Sequence, residues 1–123
     1  MSKSVLVVDD EKSVRISLEM SLKDEGYTVL CAATGEEALS MIEEEIPDLI
    51  LLDIWLPGID GIEVLTRIKQ MSPSIPVVIM SGHGSIETAV KATKLGAYDY
   101  LEKPPSLEKL LIALENAFNY HRL

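Results

Sequence analysis

Five short apolar runs, each followed by a longer stretch with helical spacing, constrain the fold of this chain more than any other feature. The runs are Val5 to Val8, Tyr27 to Ala32, Leu49 to Leu52, Val77 to Met80, and Tyr98 to Leu101. Strand and helix in strict alternation predict an α/β fold on a parallel sheet, because parallel neighbours need a long crossover and a helix supplies it. The runs at Val5, Leu49 and Val77 are apolar at every position. Such strands are covered by helices on both faces, so these three are expected at the centre of the sheet. The intervening stretches repeat apolar residues on one helical face, as in Val14, Leu18 and Leu22, or Val64, Leu65 and Ile68. Thr34 with Glu37, and Asp60 with Glu63, have capping-box spacing and mark two helix starts.

Composition narrows the class. The 123 residues are 47% hydrophobic and 25% charged, enough apolar material for one core, and one domain over residues 1–123 is expected. No apolar run approaches the ~18 residues of a membrane span, and Met1, Ser2 and Lys3 lead straight into the first strand, so neither a membrane segment nor an export signal is expected. Cys31 is the one cysteine and there are two histidines, which leaves no internal disulfide and no Cys/His zinc site. A cytoplasmic protein fits best. Eleven basic against twenty acidic residues give a net charge of −9, which repels phosphate backbones and attracts cations. Direct nucleic-acid binding by this segment is therefore not expected. The last helical pattern runs through Phe118 and Tyr120 to Leu123 with neither glycine nor proline to stop it, as in a piece of a longer protein.

Ligands of open parallel sheets bind beyond the carboxyl ends of the strands, near the point where strand order reverses. The residues there are Asp9 and Asp10 after the first strand, Asp53 after the third, Ser81 after the fourth and Lys103 after the fifth. With strand two at an edge, the order 2-1-3-4-5 sets strands one and three side by side and gathers the three aspartates. Three such carboxylates repel one another unless a cation joins them, and magnesium, which takes one or two carboxylates and keeps several waters, suits a shallow site at loop ends. A carboxylate beside such a cation can act as a nucleophile toward phosphorus, forming an aspartyl phosphate. Asp53, central in the cluster, is the expected acceptor. Lys103 and the Ser81 hydroxyl would then meet the phosphoryl oxygens. The plainer reading of Asp9 and Asp10 is that they cap the first helix.

Asp9-Asp10, Asp53 with Pro57-Gly58 and Asp60-Gly61, Ser81-Gly82, and Lys103-Pro104 together closely resemble the receiver domain of two-component response regulators. The resemblance runs from Val5 to the last helix, and is strongest to receivers of the NtrC and NtrX type through Ser81-Gly82-His83-Gly84, Ala89-Val90-Lys91 and Gly96-Ala97-Tyr98-Asp99-Tyr100. It implies a flavodoxin-like, CheY-like (βα)5 doubly wound sheet of order 2-1-3-4-5. It implies that Asp53 accepts a phosphoryl group from a sensor histidine kinase, catalysing only its own modification, and that magnesium is held by Asp10, Asp53 and the Trp55 carbonyl, with Asp9 acting through water. Lys103 would hold a phosphoryl oxygen, and the Lys103–Pro104 bond would be cis. Ser81 and Tyr100 would form the switch pair, with Tyr98 a competitor on the same strand parity. Trp55 and His83 would border the path of hydrolytic water and tune the phosphate lifetime. In such regulators the receiver precedes an AAA+ ATPase and a DNA-binding domain, and the face of helix four, strand five and helix five carries the output, often through a homodimer. The chain departs from the pattern at Pro105, where an aromatic is common, and at Ser81, where threonine is more frequent.

Two other classes compete. A magnesium-dependent phosphatase with an aspartyl-phosphate intermediate would need a second acid near its nucleophile, often two residues on, where this chain has Trp55. A flavodoxin-like interaction module independent of phosphorylation would share the topology. If it bound a phosphate in its first loop, Asp9, Asp10 and Glu11 would repel that ligand.

Overall fold

The computed structural model describes residues 2–82 and 86–122. In chain order the elements are β1 (Ser4–Val8), α1 (Lys12–Asp24), β2 (Thr28–Ala32), α2 (Gly35–Glu44), β3 (Leu49–Asp53), α3 (Gly61–Met71), β4 (Val77–Ser81), α4 (Ile86–Lys94), β5 (Asp99–Glu102) and α5 (Leu107–Arg122). Every strand pair is parallel and the sheet order is β2-β1-β3-β4-β5. The three fully apolar runs form its interior: β3 and β4 are buried along their whole length and β1 from Val5 onward, whereas the edge strands β2 and β5 each leave residues at the surface.

Alternation within the central strands divides their side chains between two cores. Leu6, Val8, Ile50, Leu52, Val77 and Ile79 pack with Ala38, Leu39 and Ile42 of α2, Val64, Leu65 and Ile68 of α3, and Ala92 of α4. Val5, Val7, Leu49, Leu51, Val78 and Met80 pack on the opposite face with Leu18 and Leu22 of α1 and Leu110, Leu114 and Ala117 of α5. Burying both faces holds the sheet rigid at about 25 cal/mol per Å² of apolar surface removed from water.

Helix ends follow local chemistry. Glu37 N–H donates to Thr34 Oγ1 at 3.1 Å, and Glu37 Oε1 turns back to accept Ala33 N–H at 2.7 Å. Glu63 N–H donates to Asp60 Oδ1 at 2.9 Å. α1 and α4 each stop in a Schellman turn, with Gly26 at φ +93° and Gly96 at φ +109°. There Tyr27 N–H bonds Leu22 O at 3.0 Å and Ala97 N–H bonds Ala92 O at 3.0 Å. Replacing the α3 cap, Asp60→Ala, is expected to cost about 1 kcal/mol in urea unfolding, and Asp60→Asn much less because the amide oxygen still accepts. Equal losses in both variants would show that the cap bond is not what holds this helix start.

Candidate functional site

Strand register brings the polar residues to one end of the sheet. Val8 lies beside Leu52, so the next residues, Asp9 and Asp53, emerge side by side where the strand order reverses. Asp53 closes β3, and Ser81 closes β4 opposite Glu102. The backbone bonds continue past the strand ends: Asp9 N–H donates to Ala32 O at 3.1 Å and Lys103 N–H to Ser81 O at 2.9 Å. Asp9, Asp53 and Ser81 are the buried polar side chains of the described residues.

Lys103 reaches back into this pocket. Its Nζ donates to Asp9 Oδ2 at 2.8 Å, Asp53 Oδ2 at 3.0 Å and Glu11 Oε1 at 3.2 Å. The second oxygen of each buried aspartate is also engaged, as Glu11 N–H donates to Asp9 Oδ1 at 2.9 Å and Trp55 N–H to Asp53 Oδ1 at 3.0 Å. Arg15 Nη1 donates to the Asp9 carbonyl at 2.8 Å. Burial pushes the Asp53 carboxyl above the usual aspartate range; the Trp55 N–H and the Lys103 ammonium pull against that shift, while the Asp9 charge adds to it. Burial works to lower the Lys103 ammonium, but its bonds to Asp9 and Asp53 outweigh it and hold the lysine above its ordinary value. The two upward shifts have different origins, burial for Asp53 and the neighbouring carboxylates for Lys103. A single ammonium shared among several carboxylates stays charged itself without fully compensating any one of them.

The structure gathers Asp9, Asp10, Asp53 and Lys103, with Ser81 buried at the end of the adjacent strand. Asp10 is exposed at the rim, and ligand oxygens of Asp9, Asp10 and Asp53 all lie within 4.8 Å of one another. Neither acid is the cap of α1: the N-cap is Glu11, which makes no side-chain cap bond. The Trp55 backbone is tied to Asp53, while its indole is 55% exposed. The Lys103–Pro104 peptide is cis. His83 lies outside the described residues.

Tyr98 and Tyr100 do not share a strand face, contrary to the parity read from the sequence. β5 begins only at Asp99, so Tyr98 precedes the pleat and packs with the α1/α5 core, its ring 5.4 Å from that of Tyr120. Tyr100 packs on the opposite core, and its buried hydroxyl has no hydrogen-bond partner among the described residues. Sequence reasoning passes over Glu11 and Arg15 as members of the pocket. Glu11 is signalled only as a third consecutive acid after the first strand, and Arg15 lies one helical turn beyond it.

The donor set fits a hard divalent cation. Four carboxylates, those of Asp9, Asp10, Glu11 and Asp53, face one ammonium, and three of them converge with oxygen donors only.

Known proteins resemble this chain over nearly its whole length. Residues 5–115 match the family model of the response regulator receiver domain. An NtrX-like response regulator of Rickettsia typhi is 50% identical over 121 residues, covering 97% of this chain and 26% of that protein. The crystal structure of NtrX from Brucella abortus superposes with a TM-score of 0.93 at 43% identity, covering 99% of this chain and 28% of that one. The solution structure of the beryllofluoride-activated NtrC4 receiver domain dimer superposes at 0.91 with 46% identity, covering 96% of this chain and 98% of that one. The chain thus spans about a quarter of the length of the curated relatives it matches. A five-stranded parallel sheet of order 2-1-3-4-5, an aspartate cluster at its switch point and a family match over nearly the whole chain lead to one conclusion: the chain belongs to the response regulator receiver domain family, with NtrX- and NtrC-type regulators among its relatives.

Proposed function

We propose that residues 1–123 form the phosphoacceptor receiver domain of a longer two-component regulator, and that Asp53 takes a phosphoryl group from a sensor histidine kinase. The observation that carries the reading is the state of Asp53: 3% exposed at the end of β3, one oxygen on the Trp55 N–H, the other on Lys103, beside Asp9 and Asp10. In the transfer a carboxylate oxygen of Asp53 bonds to phosphorus as the phosphorus–nitrogen bond of a phosphohistidine breaks, the imidazole nitrogen leaving with the electron pair. Lys103 is placed to stabilise charge on the arriving oxygens, and the Ser81 hydroxyl to donate to one of them.

Asp10, Asp53 and the Trp55 carbonyl are the proposed direct holders of magnesium, with Asp9 acting through water. When bound, magnesium supplies positive charge that offsets the repulsion between these carboxylates and an incoming phosphoryl group. The exposed Trp55 indole is assigned to shielding the phosphoryl group and slowing its hydrolysis.

The proposed output is a shift in the face of α4, β5 and α5, with Ser81 and Tyr100 as its switch. The buried Tyr100 hydroxyl has no hydrogen-bond partner among the described residues, and a second arrangement that offers it an acceptor would be favoured. Ile86 and Val90 leave apolar side chains exposed on α4, 84% and 46% respectively, which suits pairing with a second copy or with output domains of the same protein. Those output domains are an AAA+ ATPase and a DNA-binding domain by analogy with NtrC-type regulators, and the cytoplasm is the expected compartment. No helix of the described residues is long and apolar enough to cross a membrane.

The test is intact mass after incubation with acetyl phosphate. Gain of one phosphoryl group with magnesium and none with a chelator is expected; no gain in either case refutes the reading. Magnesium at about ten times its dissociation constant should also add about 1.4 kcal/mol to thermal stability. Asp10→Asn is expected to lose most of that increment, and a variant that keeps it would remove Asp10 from the site.

A further inference from the structure

An ammonium has three N–H donors. All three of those on Lys103 are occupied, by Asp9 Oδ2 at 2.8 Å, Asp53 Oδ2 at 3.0 Å and Glu11 Oε1 at 3.2 Å. A phosphoryl group on Asp53 brings new acceptor oxygens into the same pocket, and Lys103 can serve one only by releasing a present partner. The three partners are held unequally. Asp9 is fully buried, its other carboxylate oxygen takes the Glu11 N–H, and its carbonyl takes Arg15. Asp53 carries the incoming group; where its Oδ2 is the attacking oxygen, that one donor passes to the phosphoryl group, and Lys103 can serve a second phosphoryl oxygen only by releasing another partner. Glu11 makes the longest of the three contacts, and its side chain is 59% exposed, so water readily replaces Lys103 at its oxygen.

We infer that Glu11 is a positioning residue: its carboxylate occupies the third donor of Lys103 in the resting pocket and yields it to the phosphoryl group, so that uptake at Asp53 runs against the Glu11–Lys103 contact. This rests on the receiver reading of Asp53. With acetyl phosphate as donor, an Asp53 oxygen bonds to phosphorus, the bond from phosphorus to the acyl oxygen breaks, and acetate leaves with the electron pair. Lys103 exchanges Glu11 Oε1 for a phosphoryl oxygen and keeps its protons.

Occupancy of the donor and mere negative charge near the site are separable, because Glu11 is also the N-cap of α1 and makes no side-chain cap bond. Aspartate is a strong N-cap, so Glu11→Asp draws the carboxylate onto the helix N–H groups and off Lys103 while keeping the charge. Glu11→Gln keeps the reach and loses the charge. Glu11→Ala loses both. Glu102→Gln removes an exposed charge adjacent to Lys103 in the chain and serves as the control.

The experiment measures initial phosphoryl uptake from acetyl phosphate with magnesium by intact mass. It also measures beryllofluoride affinity with magnesium through the fluorescence of Trp55, the single tryptophan. Glu11→Ala and Glu11→Asp are expected to take up phosphate about threefold faster and to bind beryllofluoride about threefold tighter, the size of effect typical of a half-exposed ion pair. Glu11→Gln should fall between them and the wild type, and Glu102→Gln should match the wild type. Glu11→Asp matching the wild type while Glu11→Gln matches Glu11→Ala would show that charge alone acts, and overturns the inference. So do slower uptake in Glu11→Ala, or no difference among the variants. A wild type that takes up no phosphate overturns the receiver reading as well, whereas uptake without differences overturns only the role of Glu11.

Discussion

Asp53→Asn is expected to abolish phosphoryl uptake while leaving the fold intact. The amide is nearly isosteric with the carboxylate, so its oxygen can still accept the Trp55 N–H or the Lys103 ammonium, and β3 keeps its core residues Leu51 and Leu52. The nucleophile is gone, because an amide oxygen does not form the acyl phosphate. Stability should move little. Removing one partner of a buried ion pair usually costs about 3–5 kcal/mol because it strands the other charge. Here Lys103 retains Asp9 and Glu11, and burial already disfavours the charged form of Asp53, so a change within about 1 kcal/mol is expected. Intact mass and thermal unfolding on the same samples decide the matter. A variant that still gains a phosphoryl group places the acceptor elsewhere, and one that unfolds shows Asp53 to be a structural anchor first.

Much of this was legible in the sequence for a simple physical reason. In a sheet buried on both faces the strand interiors are apolar, so the first polar residue after each run marks the strand end, and a parallel sheet directs all those ends one way. Asp9, Asp53 and Ser81 are found by that rule alone, whereas after the fifth run it stops at Glu102, one residue before Lys103. The two capping boxes at Thr34 and Asp60 are similarly local, and both caps form as their spacing predicts. What the sequence hides depends on long side chains or on where a strand begins. Lys103 reads as a group waiting for phosphate, yet it is bonded to three carboxylates, a contact spanning more than ninety positions for Asp9 and Glu11. Glu11 resembles any solvated acid at a helix start until Lys103 reaches it. Tyr98 and Tyr100 look equivalent because period-two alternation identifies faces only inside a strand, and β5 starts one residue after Tyr98.

Gly61→Ala is expected to lower stability by about 3 kcal/mol or more, a fall of roughly 10 °C in the thermal midpoint for a chain of this size. Gly61 opens α3, and its N–H donates to Ile54 O at 3.0 Å, so helix and loop meet backbone to backbone. A Cβ at position 61 would press on the Ile54 Cα, with the Ile54 carbonyl carbon at 2.7 Å and its oxygen at 2.5 Å. A flexible side chain could turn aside from such a contact. Backbone cannot, and Ile54 is also fixed on its other side, donating its own N–H to Met80 O at 3.1 Å. Relief requires α3 to move outward, which loosens Val64, Leu65 and Ile68 from the core. Gly26→Ala makes the contrast: there is open space around its Cβ, and the cost is only the positive φ, about 1 kcal/mol. Because Ile54 directly follows Asp53, the disturbance at Gly61 should also reach the site. Phosphoryl uptake by Gly61→Ala, measured well below its midpoint, is expected to be slower than in Gly26→Ala at the same fraction folded. A midpoint within about 2 °C of the wild type would mean that the β3–α3 connection yields, and that the close approach of Gly61 to Ile54 is not what holds Asp53 in place.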